Sequence, residues 1–179
     1  MDDVSAATTT LSAGRLAAAR EPSFAEAAER HLDDVYRYLL VLTRDASLAE
    51  DLAADTFERA LRAWRRFDAR RGSAQTWLCA VARSVALDHF RAERRRRRRE
   101  HAVAEPEGTL APPELGLSPE LESALAALSA AEREVVALRI VLDLDAETAA
   151  RVLGVSATAC TTRLSRALKR LEELMHDDD

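Results

Sequence analysis

Little in this chain is equipped to catalyse a reaction, hold a metal or cross a bilayer. Only two of the 179 residues are cysteine, Cys79 and Cys160. They stand far apart with no C-x-x-C and no paired histidines, which argues against a zinc site and against a disulfide framework, and both read as small packing residues. Five glycines form no Gly-rich phosphate loop, and no nucleophile stands beside a base in a recognisable pattern, so the expectation is a protein that is not an enzyme and that needs no cofactor and no metal. No apolar run approaches the roughly 18 residues of a membrane span, and the first residues lack a basic start followed by an apolar core. The expectation is a cytoplasmic protein without membrane insertion.

What is present is an ordinary globular composition with charge sorted into blocks. An apolar content of 47% suffices for a core, and the length allows one or two domains. The net charge of −5 hides its distribution: residues 69–101 carry ten Arg against three acids, whereas residues 102–122 carry five acids and no base. The basic block is therefore local. Its centre is residues 75–99, QTWLCAVARSVALDHFRAERRRRRR, an apolar helical pattern that runs into six consecutive arginines. At about 100° per residue, Trp77, Leu78, Val81 and Val85 share one face and Arg83, Phe90 and Arg94 the opposite one, which predicts one packing face and one face for phosphate or base. Guanidinium forks suit phosphate, and an exposed phenylalanine offers a surface on which an unstacked base can lie.

Around this centre the pattern is helical throughout. Residues 1–22, rich in Ala, Thr and Ser, read as a disordered tail. A capping box, Ser23 with Glu26, precedes Phe24, Ala28, Leu32, Val35, Leu39 and Leu42 at helical spacing, a helix ending near Thr43. A second box, Ser47 with Glu50, is expected to open a helix through Leu52, Thr56, Phe57, Ala60, Leu61 and Trp64, with Asp51, Asp55, Glu58, Arg59 and Arg62 outside as either a solvated face or a docking face. Residues 67–74, FDARRGSA, form a short basic loop before the central helix. Residues 102–117 hold Pro106, Pro112, Pro113, Gly108 and Gly116 and read as a flexible linker, about 20 to 24 Å long on average and about 55 Å when extended, so that two domains (23–101 and 118–175) could sit well apart.

The second domain starts at Ser118-Pro119, a cap with proline at the first helical position, and continues through a third box, Ser129 with Glu132. Its end has the form of a helix-turn-helix: residues 146–153, a turn at Gly154, a cap at Ser156, and a final helix whose predicted buried stripe is Leu164, Leu168 and Leu171. Arg163, Arg166, Lys169 and Arg170 make that helix basic. The fold class expected is all-α, two small helical domains joined by a flexible linker.

The stretch AEDLAADTFERALRAWRRFDARRGSAQTWLCAVARSVALDHFRAERR, followed by ALSAAEREVVALRIVLDLDAETAARVLGVSATACTTRLSRALKRLEEL, resembles bacterial RNA polymerase sigma factors of the extracytoplasmic-function (ECF) group. The anchors Asp51-Leu52, Thr56-Phe57, Trp77-Leu78, Ala82-Arg83, Asp88, Arg91, Leu153-Gly154-Val155-Ser156, Arg163-Leu164 and Arg166-Ala167 occur in order across residues 24–174. The resemblance implies RNA polymerase core, promoter DNA and an anti-sigma factor as partners. It implies a core-binding face of Asp51, Asp55, Phe57, Glu58, Arg59 and Arg62. For the minus-ten element it implies Arg71, Gln75, Trp77, Arg83, Ser84, Phe90, Arg91, Arg94 and Arg95, and for the minus-thirty-five element Ser156, Thr158, Thr161, Thr162, Arg163 and Arg166. The chain departs from the family pattern at Ala54 (usually Gln), Ser84 (usually Asn), Thr148-Ala149 (usually Glu-Ile) and residues 159–161 (usually Thr-Val-Lys). A DNA-binding regulator of another kind would leave the 51–62 face without a role. A sigma-like protein that binds polymerase or an anti-sigma factor without initiating finds support only in Ser84 and Thr161.

Overall fold

The computed structural model describes residues 22–100 and 117–176. The expected tail, all but its last residue, and the expected linker, all but Leu117, lie outside the described residues.

Three helices form the first unit. Helix α1 (Phe24–Thr43) opens on the expected capping box: Ser23 N donates to Glu26 Oε2 at 2.7 Å and Glu26 N to Ser23 Oγ at 3.3 Å. It stops where Arg44 turns left-handed at φ 56°, donating its N–H to Leu40 O. That turn leaves Asp45 extended, and its carboxylate accepts from Leu48 N at 3.0 Å, so α2 (Ala46–Ala63) is capped by Asp45 rather than by the expected Ser47. An acceptor two residues earlier in the chain wins because the backbone has already left the helix there. A single 3₁₀ turn, Trp64–Arg66, leads into the basic loop, and α3 (Ala74–Glu100) follows. The three helices pack pairwise around Val35, Tyr38, Leu39, Leu52, Ala60, Leu78, Ala82 and Ala86.

Four helices form the second unit. Ser118 caps α4 (Pro119–Ala127), and Ser129 with Glu132 forms the capping box of α5 (Ala130–Val136). A π-turn, Ala137–Val141, carries the chain to Asp145, which caps α6 (Ala146–Leu153); α7 (Ala157–His176) closes the chain. Helices α4, α5 and α6 all pack on α7.

The all-α class is as expected, but the two units do not stand apart. Helix α1 packs on α5 and on the π-turn, α3 packs on α6, and one buried cluster runs from Val35 and Leu78 through to Val135, Leu138 and Leu153. The faces also differ from the periodicity. In α3 the fully buried residues are Leu78, Cys79, Ala82 and Ala86, an arc centred on Ala82. Small side chains there let the helices approach closely, and the arc turns toward Arg83 and Phe90, both half-buried rather than free. Leu61 at 58%, Leu32 at 52% and Leu168 at 42% are exposed; Ala27 in α1 and Cys160 with Ala167 in α7 take the buried places instead. A period of 3.6 finds the helix but weights large residues, whereas a close crossing selects small ones.

Burial pushes the Cys79 thiol up to about 12 and raises that of Cys160 as well. The thiolate is the reactive form, so at about pH 8 neither cysteine of the folded chain should be labelled by a maleimide in the time that labels the urea-unfolded chain fully. Labelling at the unfolded rate in buffer alone would contradict this packing.

Candidate nucleic-acid interface

The basic loop is built by its own short-range chemistry. Asp68 accepts from Arg70 N, Nε and Nη2 at 3.0, 2.9 and 3.0 Å, and Arg71 N donates to Asp68 O at 2.9 Å, which closes the turn. The Arg70 guanidinium holds the Asp68 carboxyl below its ordinary value. Ser73 then starts α3, its Oγ accepting from Thr76 N at 3.1 Å. Beneath the loop Phe24, Trp64, Phe67 and Trp77 form an aromatic cluster, Trp64 stacked on Phe67 at 4.6 Å between centroids and edge-on to Trp77 at 5.5 Å. The loop thus has a rigid floor.

The expected minus-ten residues fall into three environments. Arg71 is exposed on the loop, and Arg94 and Arg95 are exposed on the last turns of α3, with no acidic partner among the described residues. Gln75, Trp77, Ser84 and Phe90 are half-buried: Gln75 Nε2 donates to Asp34 Oδ2 of α1 at 2.8 Å, and Trp77 belongs to the aromatic floor. Arg83 and Arg91 are paired. Arg91 Nη1 meets Asp88 Oδ1 at 3.2 Å, and Arg83 donates from Nε and Nη2 to both carboxylate oxygens of Glu134 in α5, at 3.1 and 3.3 Å. Glu134 is only 6% exposed. The face of Arg83 that was expected to meet DNA is turned to the second unit, because the small-residue arc rotates it there.

The second unit also reaches the basic loop. Arg151 of α6 donates from Nη1 to Arg71 O at 3.2 Å and from Nη2 to Thr148 Oγ1 at 3.0 Å. Between loop and α6 lies a cavity of about 310 Å³ lined by Arg66, Phe67, Arg71, Trp77 and Arg151 among others. Beyond Phe90, α3 runs on with its side chains mostly exposed. There Glu93 Oε1 accepts from Arg96 Nη2 and Arg97 Nε, both at 2.9 Å, and these two arginines pull its carboxyl down to about 2. The helix end is therefore braced from within while Arg94 and Arg95 point outward.

On α2, Asp51, Asp55, Glu58, Arg59 and Arg62 are exposed and Phe57 is half-buried. Arg62 pairs with Glu58, and Arg59 Nη1 crosses to Asp88 Oδ2 on α3 at 3.0 Å. Arg59 also helps to keep the Asp88 carboxyl below its ordinary value. Beside this face Phe57, Ala53 and Ala54 join Leu32, Asp33 and Tyr36 of α1 in a groove of about 420 Å³. The α1 side of that groove is absent from the sequence reading, which placed Leu32 in the core.

In the helix-turn-helix, Asp145 accepts from Thr148 N at 2.9 Å and from Thr148 Oγ1 at 2.7 Å, and Gly154 makes the turn at φ 69°. Ser156 Oγ accepts from Ala159 N at 3.1 Å. Thr158, Thr161, Thr162 and Arg166 are exposed and Arg163 is half-buried. Thr161 Oγ1 donates back to Ala157 O at 3.0 Å. Cys160 is fully buried, so the outward face of early α7 is made of threonines. Among the described residues no group of His, Cys, Asp and Glu is placed to hold a metal ion, and no helix is long and apolar enough to cross a membrane.

Residues 27–96 match the family Sigma-70 region 2, and residues 118–171 match Sigma-70, region 4. The ECF RNA polymerase sigma factor BldN of Streptomyces coelicolor is 33% identical over 175 residues, which takes in 92% of this chain and 64% of BldN. The ECF RNA polymerase sigma factor SigC of Mycobacterium tuberculosis is 35% identical over 152 residues, 82% of this chain and 80% of SigC. The chain thus spans just under two thirds of the length of the first and four fifths of the second. Among solved structures, the complex of the sigma factor RpoE with the anti-sigma factor NepR from Bartonella quintana contains a chain that matches with a TM-score of 0.74 at 26% identity, over 87% of this chain and 98% of that one.

Gly154 fixes the angle between α6 and α7. A Cβ there would meet nothing within 4 Å, so the whole effect of Gly154→Ala is the left-handed backbone, about 1 to 2 kcal/mol of lost stability in urea unfolding. Unchanged stability would mean that the turn is not held at this φ.

Proposed function

The chain belongs to the ECF group of bacterial RNA polymerase sigma factors, and on that basis we propose how its surfaces divide the work of starting transcription. It directs polymerase core to specific promoters and helps to open the minus-ten region. It is an initiation factor; the polymerase performs the phosphoryl transfer. The compartment that follows from this role is the cytoplasm.

The mixed-charge face of α2, with Asp51, Asp55, Phe57, Glu58, Arg59 and Arg62, and the groove it shares with α1 bind polymerase core. An apolar groove rimmed by exposed acids and bases suits a helical partner presenting an apolar stripe between charges. The loop with Arg71 and the helix with Gln75, Trp77, Arg83, Ser84, Phe90, Arg91, Arg94 and Arg95 take the minus-ten strand. Extruding a base costs a few kcal/mol, and an aromatic-floored cavity together with phosphate contacts from guanidinium forks offsets that cost. Early α7, with Ser156, Thr158, Thr161, Thr162, Arg163 and Arg166, reads the minus-thirty-five duplex. Threonines without a lysine at Thr161 make it a weaker base reader, while the arginines supply backbone contacts. By analogy with the RpoE complex, an anti-sigma factor is the regulatory partner.

The observation that carries this reading is the joint placement on α3 of a braced arginine end, free Arg94 and Arg95, and a basic loop over an aromatic floor. The test is run-off transcription with purified core on templates selected from a randomised promoter library. The chain should start transcripts at one site per selected template. Binding to core without any specific start would leave only a sigma-like interaction protein.

Replacing Arg94 and Arg95 with alanine should weaken promoter binding by the holoenzyme and flatten its salt dependence. Every phosphate that is no longer neutralised takes about 0.9 from the log–log slope on duplex and about 0.7 on single strand. An unchanged slope would show these arginines to be only a solvated helix end. In the upstream element, Arg163→Ala or Arg166→Ala should lower binding to most sequences alike, and Thr161→Lys should raise it. Parental binding by both alanine variants would remove α7 from the groove.

A further inference from the structure

Direct readout in the major groove uses a short chemical vocabulary. Arginine or lysine takes guanine, asparagine or glutamine takes adenine, a carboxylate takes the cytosine amine, and an apolar group takes the thymine methyl. From Val155 to Thr162 the chain reads VSATACTT, so the first turns of α7 hold no side chain of the first three kinds. The first cation is Arg163, which is half-buried, and exposed Arg166 lies further from the helix start. What early α7 offers a base edge is therefore hydroxyl or methyl.

Hydrogen bonds within the helix decide between these two. Ser156 Oγ is committed as the cap of α7, accepting from Ala159 N at 3.1 Å. Thr161 Oγ1 donates to Ala157 O at 3.0 Å, and a threonine bonded in that way has one heavy atom left on its Cβ, the Cγ2 methyl. Thr161 is exposed, so that methyl is what it presents. Burial of Cys160 and Ala167 fixes the rotation of α7. Thr158 and Thr162, four apart and exposed, share the side opposite Cys160. Their hydroxyls both donate and accept, which suits every base edge and separates none. Their methyls suit only one.

We propose that early α7 is a methyl reader: Thr161, flanked by Thr158 and Thr162, selects the C5-methyl group of thymine and accepts 5-methylcytosine in its place. The inference rests on the assignment of early α7 to the minus-thirty-five duplex and names what the helix recognises there. In the major groove thymine differs from cytosine by an O4 acceptor in place of the N4 amine and by the C5-methyl group. A helix without a partner for O4 or the amine senses only the second difference. Arg163 and Arg166 supply affinity through the phosphates, which carry no sequence, so the methyl contacts carry the discrimination. Methylation of a cytosine in the upstream element then improves a promoter without changing its sequence.

The experiment uses holoenzyme made with the full chain, in competition binding on a promoter selected from the randomised upstream library. Each thymine of the upstream element is exchanged singly for deoxyuridine, which lacks only the methyl. In a second set the same pair becomes cytosine with guanine, with and without the 5-methyl group. Loss of a buried methyl contact should weaken binding about fourfold, and 5-methylcytosine should bind about fourfold better than cytosine at the same position. Thr161→Ser removes the methyl and keeps the hydroxyl at an exposed position where folding is not at risk, so thymine and uracil should become equal at the position it reads. Thr161→Val keeps a methyl and should keep the discrimination. Discrimination that Thr161→Ser leaves intact overturns the role of Thr161. Equal binding of thymine and uracil at every position, while Arg163→Ala or Arg166→Ala still weakens binding, overturns the methyl reader and leaves α7 in the groove. Parental binding by both arginine variants, with thymine and uracil equal, overturns the assignment of α7 and this proposal with it.

Discussion

The structure turns on one ion pair, Arg83 with Glu134, because a guanidinium three-quarters removed from water must have a counter-charge wherever the molecule goes. Desolvating it alone would cost several kcal/mol, so either a carboxylate or a phosphate has to face it. Here the carboxylate comes from α5 of the second unit. Removing one partner would leave a largely buried charge uncompensated, which typically costs about 3 to 5 kcal/mol.

The rest of the first domain presents that arginine. Cys79, Ala82 and Ala86 let α3 sit close against its neighbours, which rotates Arg83 and Phe90 to the edge of the core. The aromatic floor under Phe67 and Trp77 stiffens the loop at one end of α3, and Glu93 braces the arginine-rich other end through Arg96 and Arg97. A helix fixed at both ends presents its free cations in a constant register.

Much of this was legible in the sequence because it is local. Capping boxes at Ser23 and Ser129, the proline after Ser118, Gly154 as a left-handed turn and the break at Gly72 and Ser73 are all decided within four residues, and each stands where the pattern put it. The start of α2 was misjudged for the same local reason, since the left-handed Arg44 that favours Asp45 over Ser47 has no signature in the side chains. The candidate site residues were chosen as residue types, through arginine clustering and through family anchors. What could not be read was the docking of the domains. Glu134 lies 51 residues from Arg83, within AAEREVV, where a glutamate reads as one more exposed helix charge. Leu32, Leu61 and Leu168 were counted into core faces because a period of 3.6 ranks large side chains over alanine, and a close helix crossing reverses that ranking.

The central claim is that Arg83 is neutralised by Glu134 across the junction of the two units. A double-mutant cycle tests it most directly, with urea unfolding of the parent, Arg83→Ala, Glu134→Ala and the double variant. The account predicts a coupling energy of about 1 kcal/mol or more, each single variant losing stability that the second adds little to. Losses that simply add would contradict it.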